Sequence, residues 1–283
     1  MNVIKSHDIT LYGGYGSNLI LKPSGGGRLP ATSRSGYAFA IVLDDKVVGE
    51  CLLAKANSDL AKQAHPAGTN IKRVDIIFGE EEHWAGGIGS QVISLLVDYA
   101  FHGENADVVY AIISDFDTGS KHAFEKVGFE LAFADKEDLY YCFSKHDFVA
   151  RRRVQIPAEQ QFALSLDGLT PSQLYISSGK LAMVQEWFDA DNLENFDPIP
   201  VKRLGDKIMM TDGHTRAVAA HLAGLSTISA YWDEDELDMQ VYEIFVDWCK
   251  EEGIASPIHL ASRVISHKDY QELWLKCCTY MQK

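Results

Sequence analysis

From Ile88 to Tyr99, apolar side chains fall at Ile88, Val92, Leu95, Leu96 and Tyr99, the steps that draw one stripe down an α-helix. Upstream the pattern is different. Tyr37–Leu43 and Lys46–Leu53 are rich in apolar, strand-forming residues and are separated by Asp44-Asp45, which predicts a hairpin. Ile71–Phe78 and Val108–Ile113 read as further strands, Tyr140–Phe143 as a late one, and Ser120–Val127 as a short helix ended by Gly128. The pattern changes after Ala150–Pro157 (ARRRVQIP), a charged junction closed by a proline. Beyond it, Ile199–Arg203 and Lys207–Thr211 predict two strands joined through Gly205-Asp206. An alanine-rich helix follows Asp212–Arg216 and ends at Gly224, and Thr227–Trp232 resumes as strand. Leu237, Val241, Ile244, Phe245 and Trp248 repeat the helical spacing behind an acidic opening, Asp233–Asp238, suited to the positive end of a helix dipole. Ser256-Pro257 starts another helix and Tyr270–Tyr280 a last one. The chain therefore reads as two domains, 1–149 and 158–283, each mixing strands with helices, an α/β (α+β) class.

Composition narrows this picture without identifying a chemistry. The 283 residues are 46% apolar and 23% charged, the balance of a soluble globular protein. No apolar run reaches the roughly 18–20 residues that cross a bilayer, so no membrane role is expected. MNVIKSHDIT has no apolar core behind a basic start, so the expected location is cytoplasmic. A formal net charge of −14 argues against a nucleic-acid partner, which needs a basic surface, and suits a cationic small molecule. Five cysteines (Cys51, Cys142, Cys249, Cys277 and Cys278) form no CxxC pair and read as buried, reduced thiols. Neither HExxH nor a His/Cys spacing suited to zinc occurs, so no metal is expected.

The stretch that carries chemistry joins the strand Val74–Phe78, an acidic turn Glu80-Glu81-Glu82, and Trp84-Ala85-Gly86-Gly87-Ile88-Gly89-Ser90 at the start of the periodic helix. Glycines there let main-chain N–H groups approach an anion closely, and the helix tip adds about half a positive charge. Such a loop cradles a diphosphate without a lysine. It is neither GxxxxGK[ST] nor GxGxxG, and Gly13-Gly14-Tyr15-Gly16 precedes no helix and reads as a plain loop.

The segment VDIIFGEEEHWAGGIGSQVISLLVDYAF resembles the cofactor-binding core of the GNAT superfamily of N-acetyltransferases, and within it the branch of aminoglycoside 6′-N-acetyltransferases. Gly87 and Gly89 match the glycines of that superfamily's [Q/R]xxGx[G/A] loop, and Trp84 stands where Gln or Arg is commonest. A second stretch, Asp117 to Phe129, is similar to NxxSxxxYEKxGF, with Asp117 for the Asn and Phe124 for the Tyr that often protonates the departing thiolate. The two stretches fall within residues 8–147, about half the chain. The resemblance implies a mixed sheet with one strand splayed from its neighbour, the gap admitting the pantetheine arm of acetyl-CoA. It implies an oxyanion donor on the main chain at Ile77 or Phe78. Cofactor contacts are then expected from Ile77, Phe78, Trp84, Ala85, Gly86, Gly87, Ile88, Gly89, Ser90, Asp117 and Phe124.

In that branch an aspartate lies nine positions before the tryptophan, the spacing of Asp75 to Trp84, which makes Asp75 the expected catalytic side chain. With an ordinary pKa near 3.9 it is a feeble base for an ammonium and suits anchoring a cation or taking a proton through water. The bland alternative is a strand carboxylate paired with Lys72 or Arg73. Other polar residues read as structural: His83 in an exposed turn, Asp115 solvated, Asp117 capping the helix from Thr118, and Arg151-Arg152-Arg153 as charged linker.

In the second half, strand–Asp212-Gly213-His214-Thr215-Arg216–helix again sets N–H groups at a helix tip. It is similar to the ParB/sulfiredoxin-like fold, whose GxxR turn contacts nucleotide phosphates, here Gly213, His214, Thr215 and Arg216. An Arg216 paired with a local carboxylate is the structural alternative. No cysteine lies near Gly213, so thiol chemistry is not expected. The function expected first is acetyl transfer from acetyl-CoA to a primary amine of a small, cationic acceptor. A nucleotide-sensing module with a degenerate first domain, and a protein lysine or N-terminal acetyltransferase, stand beside it. An oligomer is compatible with each.

Overall fold

The apolar runs on either side of Asp44-Asp45 form β3 (Gly36–Leu43) and β4 (Lys46–Lys55). Both aspartates take positive φ, 48° and 61°, the backbone of a tight hairpin whose twist matches its strands. The computed structural model describes residues 7–25, 36–56, 58–79, 87–193 and 196–281. The chain packs as two units, Met1–Arg152 with Gln271–Lys283, and Arg153–Tyr270.

In the first unit, β3 and β4 belong to an eight-stranded sheet with β1 (Leu11–Tyr12), β2 (Leu19–Pro23), β5 (Ile71–Phe78), β6 (Val108–Ser114), β7 (Glu130–Asp135) and β8 (Asp138–Ser144). The order is β1-β2-β3-β4-β5-β6-β8-β7. After the short α1 (Asp59–Gln63), the crossover from β5 to β6 is α2 (Ile88–His102). Only β5 and β6 run parallel, as a helical crossover requires. Its buried face is Val92, Ile93, Leu96, Val97, Tyr99 and Ala100, the predicted stripe turned slightly, with Ile88 and Leu95 only half-buried. α3 (Thr118–Val127) and α4 (Lys145–Arg151) complete this stretch of chain.

The sheet opens at one place. β5 and β6 pair at Ile71↔Val108, Lys72↔Val109 and Arg73↔Tyr110 and no further, although β5 runs on to Phe78 and β6 to Ser114. On its other edge β5 stays paired with β4 as far as Phe78. The implied splay therefore lies between β5 and β6, beyond Arg73.

The second unit holds β9 (Gln161–Ser165), β10 (Leu169–Thr170), β11 (Ile176–Ser177), α5 (Ser178–Trp187), β12 (Ile199–Leu204), β13 (Lys207–Met210), α6 (His214–Leu222) and β14 (Thr227–Trp232). It ends with α7 (Met239–Glu251), α8 (Pro257–Leu260), β15 (Val264–Ile265) and α9 (His267–Tyr270). Five of its strands form a sheet in the order β10-β13-β12-β14-β9, and β11 pairs with β15. The core beneath α6 is Ile199, Val201, Met210, Ala217, Ala220, Ile228 and Ala230. Asp238 caps α7 by accepting from the Gln240 and Val241 N–H groups, which leaves Leu237 outside the helix.

The packing divides between Arg152 and Arg153, where the expected boundaries are 149 and 158, and it does not keep everything to residue 283 with the second domain. The tail leaves Tyr270 through a π-helical turn, Gln271–Leu275, and α10 (Lys276–Tyr280), and packs within the first unit. The reason is a pair of hydrogen bonds: the Tyr12 N–H donates to Gln271 Oε1 at 3.0 Å and the Gly14 N–H to Thr279 Oγ1 at 2.9 Å. The cysteines are all free thiols; Cys51, Cys249 and Cys278 are buried, Cys142 half-buried, and Cys277 is exposed rather than buried. Among the described residues no helix is long and apolar enough to cross a membrane, and no group of three metal-binding side chains converges.

Candidate active site

Where the sheet opens, a cleft of about 440 Å³ lies between Val74–Phe78 of β5 and Ala111–Ser114 of β6. Gly89 and Ile93 of α2 and Asp117, Ser120, Ala123 and Phe124 of α3 and its cap complete its wall. The strands' main chain faces this gap with a definite phase. The Ala56 N–H donates to Ile71 O at 3.0 Å and the Gly79 N–H to Val48 O at 2.9 Å, both between β4 and the ends of β5. Main-chain groups alternate sides along a strand, so odd positions from Ile71 to Gly79 face β4 and even positions face the gap. Of the two expected oxyanion donors, Phe78 has its N–H toward the cleft. Ile77 lines the cleft, but its N–H points to β4; Ile76 is the donor that the sequence does not single out.

At the tip of α2, Gly87 is the N-cap with φ 79° and ψ 11°, a residue with no side chain of its own to cap the first turn. The first helical bond runs from the Gln91 N–H to Gly87 O at 3.2 Å, so the amides of Ile88, Gly89 and Ser90 precede the ladder. A methyl group built at Gly89 would meet Ala123 Cβ and Phe78 Cε2 at 3.8 Å, ordinary contact, and one at Gly87 only Lys126 Nζ at 3.7 Å. Packing among the described residues therefore does not demand the second glycine. Trp84, Ala85 and Gly86, with His83 and the acidic turn, lie outside the described residues.

Asp75 lines the cleft, one-fifth exposed. Its Oδ2 accepts from Arg73 Nε at 2.8 Å and Nη2 at 2.6 Å, and Arg73 is buried. The pairing foreseen as the bland alternative is present, and the guanidinium orients the carboxylate on the strand. Asp117 caps α3, accepting from the Ser120 N–H at 2.9 Å and from Ser120 Oγ at 2.7 Å. Asp115 pairs with Lys121 at 3.2 Å. Phe124 is buried, edge-on to Phe129 with ring centres 4.9 Å apart. Among the described residues no tyrosine lines the cleft, and the hydroxyls that do are Ser114 and Ser120. The arginines of the junction are engaged structurally: Arg152 lies over the Phe148 ring at 4.0 Å and Arg153 pairs with Asp197 at 3.3 Å.

The second helix tip differs in kind. Gly213 has the same backbone as Gly87, φ 79° and ψ 11°, but a methyl group there would lie 2.7 Å from Ile199 Cδ1 and 3.1 Å from Arg216 Nη2. Arg216 Nη1 donates to Asp197 O at 3.0 Å and lies 4.0 Å from the Asp197 carboxylate. His214 is buried, and its Nε2 accepts the Ser172 N–H at 3.0 Å. Side chains of the unit itself fill this tip, which favours the structural alternative for Gly213, His214 and Arg216. Thr215 sits half-buried beside them.

Burial holds the His214 imidazole neutral, its pKa pushed down to about 4. The unfolded chain, with a histidine near 6.5, takes up the proton first. This contribution to stability is complete above pH 6.5, falls as the pH drops toward 4, and is flat below. Between pH 7.5 and 5 the loss comes to about 2 kcal/mol. In denaturant titrations at those two pH values, His214→Gln should show a smaller difference by that amount; equal differences in wild type and variant would contradict it.

Residues 28–130 match the family model of an acetyltransferase (GNAT) domain. That span runs through the hairpin, the open strands, the α2 tip and α3. Among solved structures, the chain is similar to an aminoglycoside acetyltransferase, AAC(6′)-Ib, in complex with coenzyme A (16% identity, TM-score 0.38, 42% of this chain and 72% of the other). It is also similar to the Campylobacter jejuni N-acetyltransferase PseH in complex with acetyl coenzyme A (14%, 0.31, 39% and 68%) and to an acetyltransferase from Agrobacterium tumefaciens (21%, 0.30, 38% and 59%). Likenesses this slight carry no argument. No curated protein matches the sequence. The matched span is little more than a third of the chain, and the enzyme class it supports is an acetyl-CoA-dependent N-acetyltransferase. The match ends at residue 130 and supplies nothing for the second unit.

Proposed function

We propose that the enzyme transfers the acetyl group of acetyl-CoA to a primary amine on a small, cationic acceptor by direct attack. One observation carries this reading: a cleft opened by the end of the β5–β6 ladder leads to a helix tip whose N-cap is a glycine. The apolar strand walls suit a pantetheine arm, and the amides of Ile88, Gly89 and Ser90 suit its diphosphate. When bound, acetyl-CoA supplies the thioester, whose thiol, with a pKa of roughly 8.5 by analogy with cysteine, departs near neutral pH with little help. The Phe78 N–H, with that of Ile76 behind it, donates to the acetyl oxygen as negative charge develops there. Asp75, oriented by Arg73, accepts the amine's proton through water or holds the ammonium before attack. Phe124 offers no proton, so water or the Ser114 and Ser120 hydroxyls attend the thiolate. The net charge of −14 favours a cationic acceptor.

For the second unit, the order β12–β13–Asp212-Gly213-His214-Thr215-Arg216–α6–β14 supports a ParB/sulfiredoxin-like relation. The contacts of Arg216 and His214 weigh against a nucleotide there.

The test is thermal melting with acetyl-CoA, ATP and CTP, followed by thiol release across a panel of amines and peptides. Stabilisation by acetyl-CoA alone and turnover of small polyamines are expected. A response to CTP or ATP without one to acetyl-CoA would replace this reading with the nucleotide-sensing one, and turnover of peptides alone with the protein-modifying one. Asp75→Asn should keep the affinity for acetyl-CoA and lower kcat by roughly tenfold or more. Unchanged turnover would remove Asp75 from the mechanism.

A further inference from the structure

We propose that the C-terminal tail is a positioning element of the coenzyme site, with Gln271 and Thr279 holding a wall of the cavity that receives the coenzyme's nucleotide end. This rests on the acetyl-CoA reading above. A second cavity, of about 490 Å³, adjoins the α2 tip. The turn residues Gly13 and Ser17 wall it on one side, Gly87, Ser90 and Gln91 of α2 on another, and Lys126 of α3 on a third. It lies on the other side of the tip from the catalytic cleft: Gly87 and Ser90 line this cavity, and Gly89 between them lines the cleft. A chain-like cofactor whose arm fills the cleft and whose diphosphate sits at the tip must continue past Gly87. The cavity there offers three hydroxyls (Ser17, Ser90 and Ser94), an amide and one ammonium. That set suits a phosphorylated ribose and base, with Lys126 as the countercharge.

The turn that forms this wall is closed on itself. The Gly13 N–H donates to Leu19 O at 3.1 Å and the Ser17 N–H to Gly14 O at 3.2 Å. A methyl group at Gly13 would lie 2.2 Å from Ser17 Oγ, so the turn moves as a body. Its outward N–H groups are held by the tail: Tyr12 by Gln271 at 3.0 Å, Gly14 by Thr279 at 2.9 Å. Both tail side chains are buried, and Leu275 packs against Tyr12 and Ile20 beside them. Thr279 Oγ1 also donates to Leu275 O at 2.9 Å, which fixes the hydroxyl's own direction. Removing it leaves the Gly14 N–H buried without that acceptor, and the turn shifts to find another.

The experiment measures binding of coenzyme A, 3′,5′-ADP and S-acetylpantetheine to the full chain by calorimetry. Thr279→Val should weaken coenzyme A and 3′,5′-ADP by about tenfold and leave S-acetylpantetheine, which has no nucleotide, unchanged. Thr279→Ser, which keeps the hydroxyl, should restore both. Lys126→Met, at an exposed position that does not carry the fold, should show the same selective loss. Equal weakening of all three ligands, or none, in Thr279→Val and Lys126→Met would overturn the proposal while leaving the acetyl-CoA reading intact. A wild-type chain that binds neither coenzyme A nor S-acetylpantetheine would overturn that reading and the proposal together.

Discussion

Gly89→Asp abolishes acetyl-CoA binding, by a hundredfold or more, in a protein that still folds. The expectation follows from what surrounds Gly89. Among the described residues an added Cβ meets only Ala123 and Phe78, both at 3.8 Å, so the side chain enters without collision with them. A carboxylate in the first turn of α2 complements the helix dipole and costs the helix nothing. The same carboxylate stands where the diphosphate is to sit. Two like charges about 5 Å apart at an effective dielectric of about 20 repel by roughly 3 kcal/mol, which is about two powers of ten in affinity. Calorimetry with acetyl-CoA beside a thermal melt separates the two properties. An unchanged melting temperature with undiminished binding would mean that the anion sits elsewhere.

Gly213→Ala has the second large effect, and it falls on stability. The new side chain must adopt φ near 79°, which costs an L-residue roughly 1–2 kcal/mol. Its Cβ must also displace Ile199, fully buried under α6, whose Cδ1 lies only 2.7 Å away. Overpacking of that kind adds about 1–3 kcal/mol, for a total of about 2–5. Gly87→Ala carries the same backbone strain without the collision, since among the described residues only Lys126 Nζ lies within 4 Å. Chemical denaturation should therefore show the larger loss at Gly213. Equal losses would mean that Ile199 yields freely and that the tip is less full than its contacts indicate. The pair of variants separates two glycines with one conformation: one kept for packing, the other at the mouth of a cavity.

Local pattern made much of this legible. The Asp44-Asp45 hairpin, the α2 stripe, the helix ended by Gly128 and the hairpin through Gly205 all arise from residues close in sequence, where period and turn chemistry act directly. β7 escaped because its residues, Glu130–Asp135, are almost all exposed and show no buried face to read. The donor phase along β5 escaped for a different reason. Whether Phe78 or Ile77 points its N–H at the cleft depends on which residues bond β4, and register is a property of the pair of strands. The partner of Asp75 was within reach, since Arg73 lies two positions away on the same face of one strand. The tail was not, because its contacts join residues 259 and 265 positions apart, and no periodicity records such a meeting.

That separation has a consequence for how the protein comes into being. Residues 8–152 carry every strand of the large sheet, yet two buried amides of its first hairpin wait for partners made only after the whole second unit. During synthesis the nascent sheet must therefore persist unfinished while another unit acquires its own core. Contacts this remote are slow to close. A chain that stops between Tyr270 and Thr279 lacks the acceptor of the Gly14 N–H, and the first hairpin is left with that amide unsatisfied.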